Sequence, residues 1–147
     1  MSKHRALYHI VFSTKHRQMT IPETHKKELY AYIFGILKNK HCHLLRLNGI
    51  GNHVHILLDL HPSIALASLV RDLKLQSGKW MKENESFKDF DGWNEGYYAH
   101  TIGENEITAC KEYIISQEKH HLSISLMDEM ANIAAARHID WDPRDWQ

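Results

Sequence analysis

Cysteine is nearly absent: Cys42 and Cys110 are the only two in 147 residues, and they form no CxxC. A zinc site built on thiolates and a disulfide framework are both disfavoured, and two reduced, buried thiols are expected. Proline occurs three times, and no linker, internal repeat or low-complexity tract interrupts the chain. One domain over residues 1–147 is therefore expected, long enough to bury a core. No apolar run approaches 18 residues, so no transmembrane helix and no membrane partner are expected. The N-terminal MSKHRALYHIVFSTKHR has only a short apolar run between basic flanks. That is too short for a signal-peptide core, and a cytoplasmic address is expected. Net charge is lacking as well, with 18 Lys and Arg against 18 Asp and Glu, which argues against a generic polycation.

The charge that is present is unevenly spread. Residues 1–46 carry nine bases against Glu23 and Glu28, whereas residues 83–147 carry five bases against fourteen acids. Such asymmetry fits either a basic face for an anionic partner or two oppositely charged solvated faces. Thirteen histidines are many for this length.

Hydrophobic patterning gives the order β-α-β-β-α-β-α-α. LYHIVFSTK (7–15) is rich in β-branched and aromatic residues and reads as a strand. The stretch opened by Pro22 has Leu29, Tyr32, Ile33, Ile36 and Leu37 at helical spacing. HCHLLRLNGI (41–50) and IGNHVHILLDL (50–60) read as strands joined by a reversal near Asn48-Gly49. Ser63 is a candidate N-cap for a helix carrying Ile64, Leu66, Leu69, Val70 and Leu73. GYYAHTIG (96–103) reads as a short strand, residues 105–122 as one helix, and residues 125–138 as a last helix capped by Ser125 with Asp128. The tail to residue 147 is expected to pack as an arm. The first six elements predict an α+β, ferredoxin-like antiparallel sheet with helices packed on it, followed by C-terminal helices.

Two His-x-His pairs lie within twenty residues. On a strand, His53 and His55 share one face, about 7 Å apart at Cα, while Val54, Ile56, Leu58 and Leu60 face the core. That geometry lets two imidazoles converge on one ion, although two ligands are an incomplete shell. His41 and His43 sit at a helix–strand junction, where a structural role is expected. On the helix at 105–122, Tyr113 and Gln117 are i, i+4 neighbours. A tyrosine can act as a covalent nucleophile, and an amide oxygen is a hard ligand that magnesium and manganese accept. An ordinary amphipathic tyrosine would look the same.

Five stretches taken in order resemble the single-tyrosine HUH transposases of small bacterial and archaeal insertion sequences, where HUH denotes His, a hydrophobic residue, His. They are YHIVFSTKHR (8–17), GNHVHILLDL (51–60), SLVRDLKLQSGKWM (68–81), WNEGYYAHTIG (93–103) and YIISQEKHH (113–121), and together they span about residues 7–122. The resemblance implies Tyr113 as nucleophile on a catalytic helix at about 105–122, and His53, His55 and Gln117 as ligands of Mg²⁺ or Mn²⁺. It implies cleavage and rejoining of single-stranded DNA through a 5′-phosphotyrosine, and recognition of hairpins near element ends. It also implies a homodimer whose tyrosines can act in trans. Lys15, Arg17, Lys74, Lys79, His120 and His121 are the candidate DNA contacts. Asn52 departs from the family, which often has an acid before the first histidine; an amide can still hold an imidazole. Other readings are a domesticated relative that processes chromosomal repeats, a histidine-rich metal-binding or sensor protein, and a ferredoxin-like RNA-binding module. The last would want aromatics on an open sheet face.

Overall fold

The computed structural model describes residues 2–146. Four strands, β1 (Leu7–Ser13), β2 (His43–Ile50), β3 (His53–Asp59) and β4 (Tyr98–Thr101), form one antiparallel sheet in the order β2-β3-β1-β4. The helix α1 (Lys26–Asn39) joins β1 to β2, and α2 (Leu66–Lys82) joins β3 to β4. This is the expected ferredoxin-like connectivity. Three further helices follow: α3 (Ile107–Ile115), α4 (Gln117–His120) and α5 (Leu126–Ala136). No helix among the described residues is long and apolar enough to cross a membrane.

The sheet is covered on both faces. Ile10, Phe12, Val54, Ile56 and Leu58 pack against Leu29, Ile33 and Leu37 of α1 and Leu69, Val70 and Leu73 of α2. The opposite face buries Leu57 against Ile114 of α3, and Val11 against Leu126, Met130 and Ala134 of α5. The alternation along β3 is thus apolar toward α1 and α2, and histidine toward α3–α5. Because both layers are in place, His53 and His55 are 0% exposed. An open, base-stacking sheet face of the kind an RNA-binding module needs does not exist here.

Several boundaries depart from the sequence pattern for local reasons. β2 does not reverse at Asn48-Gly49 but runs on to Ile50, and the turn falls at Gly51-Asn52. Asn48 is instead a cross-layer tie, its Nδ2 donating to the carbonyls of Ile114 (3.1 Å) and Ile115 (3.2 Å). Those acceptors lie where the expected 105–122 helix breaks at Ser116, between α3 and α4. α4 is held from the other side by Lys26, which pairs with Glu118 and with Glu23. α1 begins at Lys26 rather than Pro22, and α2 begins at Leu66 with Ala65 as its cap. Ser63 bonds the His61 ring instead (2.7 Å). Ser125 does cap α5, accepting from the Asp128 amide at 3.2 Å.

The His41–His43 pair is resolved by the backbone. His41 adopts φ 59°, the left-handed conformation that ends a helix. The Cys42 amide then bonds the Leu37 carbonyl at 3.0 Å. Cys42 is buried, and both flanking histidines point to solvent. The C-terminal segment folds back on the sheet: Trp146 is buried beside Val11 and Tyr98, and Arg17 donates to its carbonyl at 2.6 Å.

Gly49 sits opposite Val54 in the β2–β3 ladder, where an added Cβ would lie 2.0 Å from the His53 carbonyl oxygen and 2.9 Å from Val54 Cα. The Gly49→Ala variant should therefore lose about 1–3 kcal/mol of stability. A fall of several degrees in melting temperature is expected; melting together with the parent would show that this end of the hairpin yields freely.

Candidate active site

β3 is the central element. Its register sets Ser13 opposite His53 and Val11 opposite His55, so the two imidazoles project side by side under α3–α5, with ring centroids 5.0 Å apart. Each is oriented by a neighbour through its Nδ1. His53 Nδ1 lies 2.8 Å from Asn52 Oδ1, and His55 Nδ1 lies 2.8 Å from His9 Nε2. Asn52 thus supplies the hydrogen bond expected of it. The β1 residue His9 is a partner that no motif signalled.

The Nε2 atoms face inward onto oxygens. His53 Nε2 is 2.9 Å from Gln117 Oε1 and 3.5 Å from Glu129 Oε1; His55 Nε2 is 3.3 Å from the same Glu129 oxygen. Glu129, on α5, was invisible to sequence reasoning because it lies 74 residues from His55 in a helix with ordinary amphipathic spacing. Its carboxylate is 3% exposed. Oε1 also accepts from His121 Nε2 at 3.0 Å, and Oε2 accepts from Gln117 Nε2 at 3.1 Å and from the Tyr113 hydroxyl. Tyr113 and Gln117 therefore converge on one carboxylate despite the break at Ser116.

The donor set fits a divalent cation. With metal–ligand bonds of about 2.0–2.2 Å, neighbouring ligands stand roughly 3.0–3.6 Å apart, and the contacts among His53, His55, Gln117 and Glu129 are of that length. Nδ1 of His53 faces an amide oxygen that can only accept, and Nε2 faces two more acceptors. The amide orientations are fixed elsewhere, since Asn52 Nδ2 donates to Arg17 O (3.3 Å) and Gln117 Nε2 to Glu129. A neutral imidazole can donate from one nitrogen only, so a proton or a metal must lie between His53 Nε2 and the oxygens. His53, His55 and Glu129 form a group that could hold a metal ion, their ligand atoms all within 4.8 Å of one another.

Burial sets the electrostatics. Desolvation, reinforced by His53 and His121 and only partly offset by Glu129, lowers the His55 pKa to about 4 and so keeps the ring neutral, the form that ligates metal. Burial also holds His9 well below the usual histidine range, with His55 and His100 adding to the effect. For Glu129, burial opposes ionisation, but the hydrogen bonds from His121, His53 and His55 outweigh it and hold the carboxyl far below its ordinary range. Burial first, and then the bond to Glu129, raise the Tyr113 phenol above its ordinary value. The phenol needs an acceptor for its proton before it can attack, and the Glu129 carboxylate is in contact with it.

The other candidates separate. His120 stacks on the Tyr113 ring (4.7 Å between centroids, tilted 34°) and, with His121, belongs to this cluster. Lys15, Lys74 and Lys79 instead line a cleft of about 680 Å³ with Lys82 and Trp93, on the α2 side of the sheet. Lys74 is half-buried there and donates to the carbonyls of Asn94 (2.8 Å) and Gly96. Desolvation lowers its pKa to about 8, so it clamps the loop before β4. Arg17 is held by the Trp146 carbonyl. Lys15 lies two residues beyond Ser13, the β1 partner of His53.

Comparison with known proteins identifies the family. Residues 2–117 match the family described as "Transposase IS200 like". The chain is 26% identical over 131 residues to the transposase for insertion sequence element IS200 of Salmonella typhimurium, covering 86% of this chain and 83% of that one. It is 25% identical over 115 residues to the ISDra2 transposase TnpA of Deinococcus radiodurans, covering 75% and 82%. Among solved structures, a putative transposase from D. radiodurans superposes with a TM-score of 0.62 at 22% identity, covering 79% of this chain and 93% of that one. A REP-associated tyrosine transposase bound to a REP hairpin superposes with a TM-score of 0.63 at 16% identity, covering 82% and 74%. With its ferredoxin-like sheet and the family's match running from the first strand to Gln117, the chain belongs to the IS200-like transposases and is an enzyme.

Proposed function

We propose that this transposase, acting as one domain in the cytoplasm, cuts and rejoins single-stranded DNA through a 5′-phosphotyrosine on Tyr113, with Mg²⁺ or Mn²⁺ held by His53, His55, Gln117 and Glu129. The observation that carries this is the convergence of the Tyr113 hydroxyl and both histidines on the Glu129 carboxylate. A divalent cation held by these residues would polarise the scissile phosphate and steady the leaving 3′ oxygen.

Tyr113 Oη attacks phosphorus, and its proton leaves through the contact with Glu129 Oε2 to solvent. The bond from phosphorus to the 3′ oxygen breaks, and that oxygen takes up a proton from solvent to become a free 3′-OH. The product is a phosphodiester between Tyr113 and the 5′ side of the cut. In the second step a 3′-OH attacks the same phosphorus and gives its proton to solvent, the bond to tyrosine breaks, and the phenolate takes a proton back from solvent. No nucleotide cofactor is needed, because the phosphotyrosine conserves the bond energy of the strand. Asn52 and His9 orient the two histidines through their Nδ1 atoms. His120 packs against the ring of Tyr113, and His121 bonds the carboxylate, so both act by positioning.

Hairpin recognition is assigned to Lys15, Lys79 and Lys82 of the cleft on the α2 side, which Glu83, Asp91 and Glu95 also line. A relative of the same fold binds a REP hairpin, which supports that partner. A homodimer with tyrosines able to act in trans would let two ends be processed together. Within one chain, Tyr113 already reaches its own histidine, with ring centroids 5.8 Å apart from His55.

Two measurements test this. Mn²⁺ or Mg²⁺ at about a hundredfold excess over its dissociation constant should stabilise the protein by about 2.7 kcal/mol, a rise in melting temperature of roughly 5–10 °C. His55→Ala and Glu129→Gln should lose that rise; a rise surviving both replacements would overturn the metal site. On single-stranded DNA flanked by a hairpin, the parent with Mn²⁺ should form a covalent adduct that persists on a denaturing gel, and Tyr113→Phe should form none. An adduct in Tyr113→Phe, or none in the parent on any element-end strand, would remove the nucleophile.

A further inference from the structure

Asn48 and Gly49 have the composition of a turn, yet both lie within β2. In the β2–β3 ladder Asn48 stands opposite His55, and Ile50 opposite His53. Residues directly opposite on adjacent strands point to the same face of a sheet. The Asn48 side chain therefore lies beside the histidine pair, on the side that α3 and α4 cover. There its Nδ2 donates to the carbonyls of Ile114 (3.1 Å) and Ile115 (3.2 Å), and it stands 3.4 Å from Glu118 Oε2. In an unbroken helix those two carbonyls would accept from the amides of Glu118 and Lys119. Instead α3 closes on the bond from the Ser116 amide to the Glu112 carbonyl (3.2 Å), and the next turn on that from the His120 amide to the Ser116 carbonyl (3.0 Å). The carbonyls between them are the unsatisfied groups of a helix end, and one side-chain amide from the sheet takes both.

The break has a geometric consequence. Tyr113 lies before it and Gln117 opens the helix after it. Gln117 Oε1 is 2.9 Å from His53 Nε2, and Gln117 Nε2 is 3.1 Å from Glu129 Oε2. Where α4 starts relative to β3 therefore decides whether Gln117 reaches His53. Lys26 also holds α4, but from α1 and through the Glu118 side chain. Asn48 refers the break itself to the strand paired with β3. Water can satisfy the carbonyls of a helix end. A water molecule is not fixed to β2, however, and would set no distance between the helix and the histidines.

We propose that Asn48 is a positioning residue for the metal site: by taking the Ile114 and Ile115 carbonyls it fixes the break at Ser116, and with it the place of Gln117 against His53. The inference rests on the reading of Gln117 as a metal ligand and deepens it. An ordinary helix cap adds stability wherever the helix lies. Asn48 ties the end of one helix to the strand beside the histidines, so its loss displaces a ligand more than it unfolds the protein. Asn52 and His9 orient the imidazoles through Nδ1, and Asn48 supplies the matching constraint on the amide side of the site.

The test titrates the full chain with Mn²⁺ and counts the free ion by its electron paramagnetic resonance signal. Asn48→Ala should weaken binding on the order of tenfold, the usual cost of losing a group that orients a ligand. The melting temperature of the metal-free protein should fall by only a few degrees, roughly the effect of one lost hydrogen-bonding group. Gln117→Ala should weaken binding by a similar or larger factor. The double variant should bind no more weakly than Gln117→Ala alone, because Asn48 acts through that side chain. Losses that multiply in the double variant, or an affinity of Asn48→Ala within about twofold of the parent, would overturn the proposal. Asn48→Ser keeps one donor and should fall between; it carries the same cycle if Asn48→Ala does not fold. A metal-free readout separates the proposal from the reading it rests on. The side-chain amide protons of Gln117, which is buried, are assigned by their loss in Gln117→Ala. They should exchange with solvent on the order of tenfold faster in Asn48→Ala than in the parent, while the core strand amides keep their rates. If Gln117→Ala binds Mn²⁺ as the parent does, Gln117 is not a ligand; exchange of its amide protons still decides Asn48, and equal rates in the parent and Asn48→Ala would overturn it.

Discussion

The carboxylate of Glu129 holds the site together. A buried anion is costly unless it is hydrogen-bonded and paired, and the described residues bring no lysine or arginine to it. Its charge is met instead by the Tyr113 hydroxyl, the Gln117 amide and three imidazoles, drawn from α3, α4, β3 and the turn after α4. Each of those groups is constrained by that shared partner. The same contact docks α5, whose apolar side (Leu126, Met130 and Ala134) closes over Val11 and Tyr98. The geometry of the candidate site and the packing of the C-terminal helix thus depend on one set of atoms.

The sheet makes that arrangement possible. Covering β3 on both faces removes water from His53 and His55 and keeps His55 neutral and ready to ligate. It also divides the molecule into two working sides. Lys15, Lys74, Lys79 and Lys82 line a cleft on the α2 side, and the Tyr113–Glu129 cluster lies on the α3–α5 side. Asn48 and Lys26 reach from the sheet and from α1 to hold α3 and α4 where they break. The break turns the helix at Ser116 yet leaves Tyr113 and Gln117 on the same carboxylate.

The fold was legible in the sequence because its signals are local. Period-two alternation in β3 separated His53 and His55 from Val54, Ile56 and Leu58, and helical spacing marked α1 and α2. The His41–His43 pair was separable for the same reason: its junction position fits the left-handed turn His41 makes at the end of α1. Boundaries were less legible where a side chain found a distant partner. Asn48-Gly49 has the composition of a turn, but Asn48 is used by α3 and Gly49 by the close approach of β3. Residues 105–122 read as one helix because nothing local announces that Asn48 and Lys26 will take over at Ser116.

Of the candidate site, strand spacing alone paired His53 with His55, whereas Tyr113, Gln117, His120 and His121 were picked out by the resemblance of their stretch to the transposase family. The tertiary structure decided what those residues meet. His9 and Glu129 lie 46 and 74 residues from His55, and no periodicity marks either as different from its neighbours. Lys74 and Arg17 looked like free cations in the sequence and are engaged by backbone carbonyls in the fold. A spacing rule fixes only which side chains share a face. Which faces are pressed together, and so which buried charge must be satisfied by which donor, is set by the packing of α5 on the sheet.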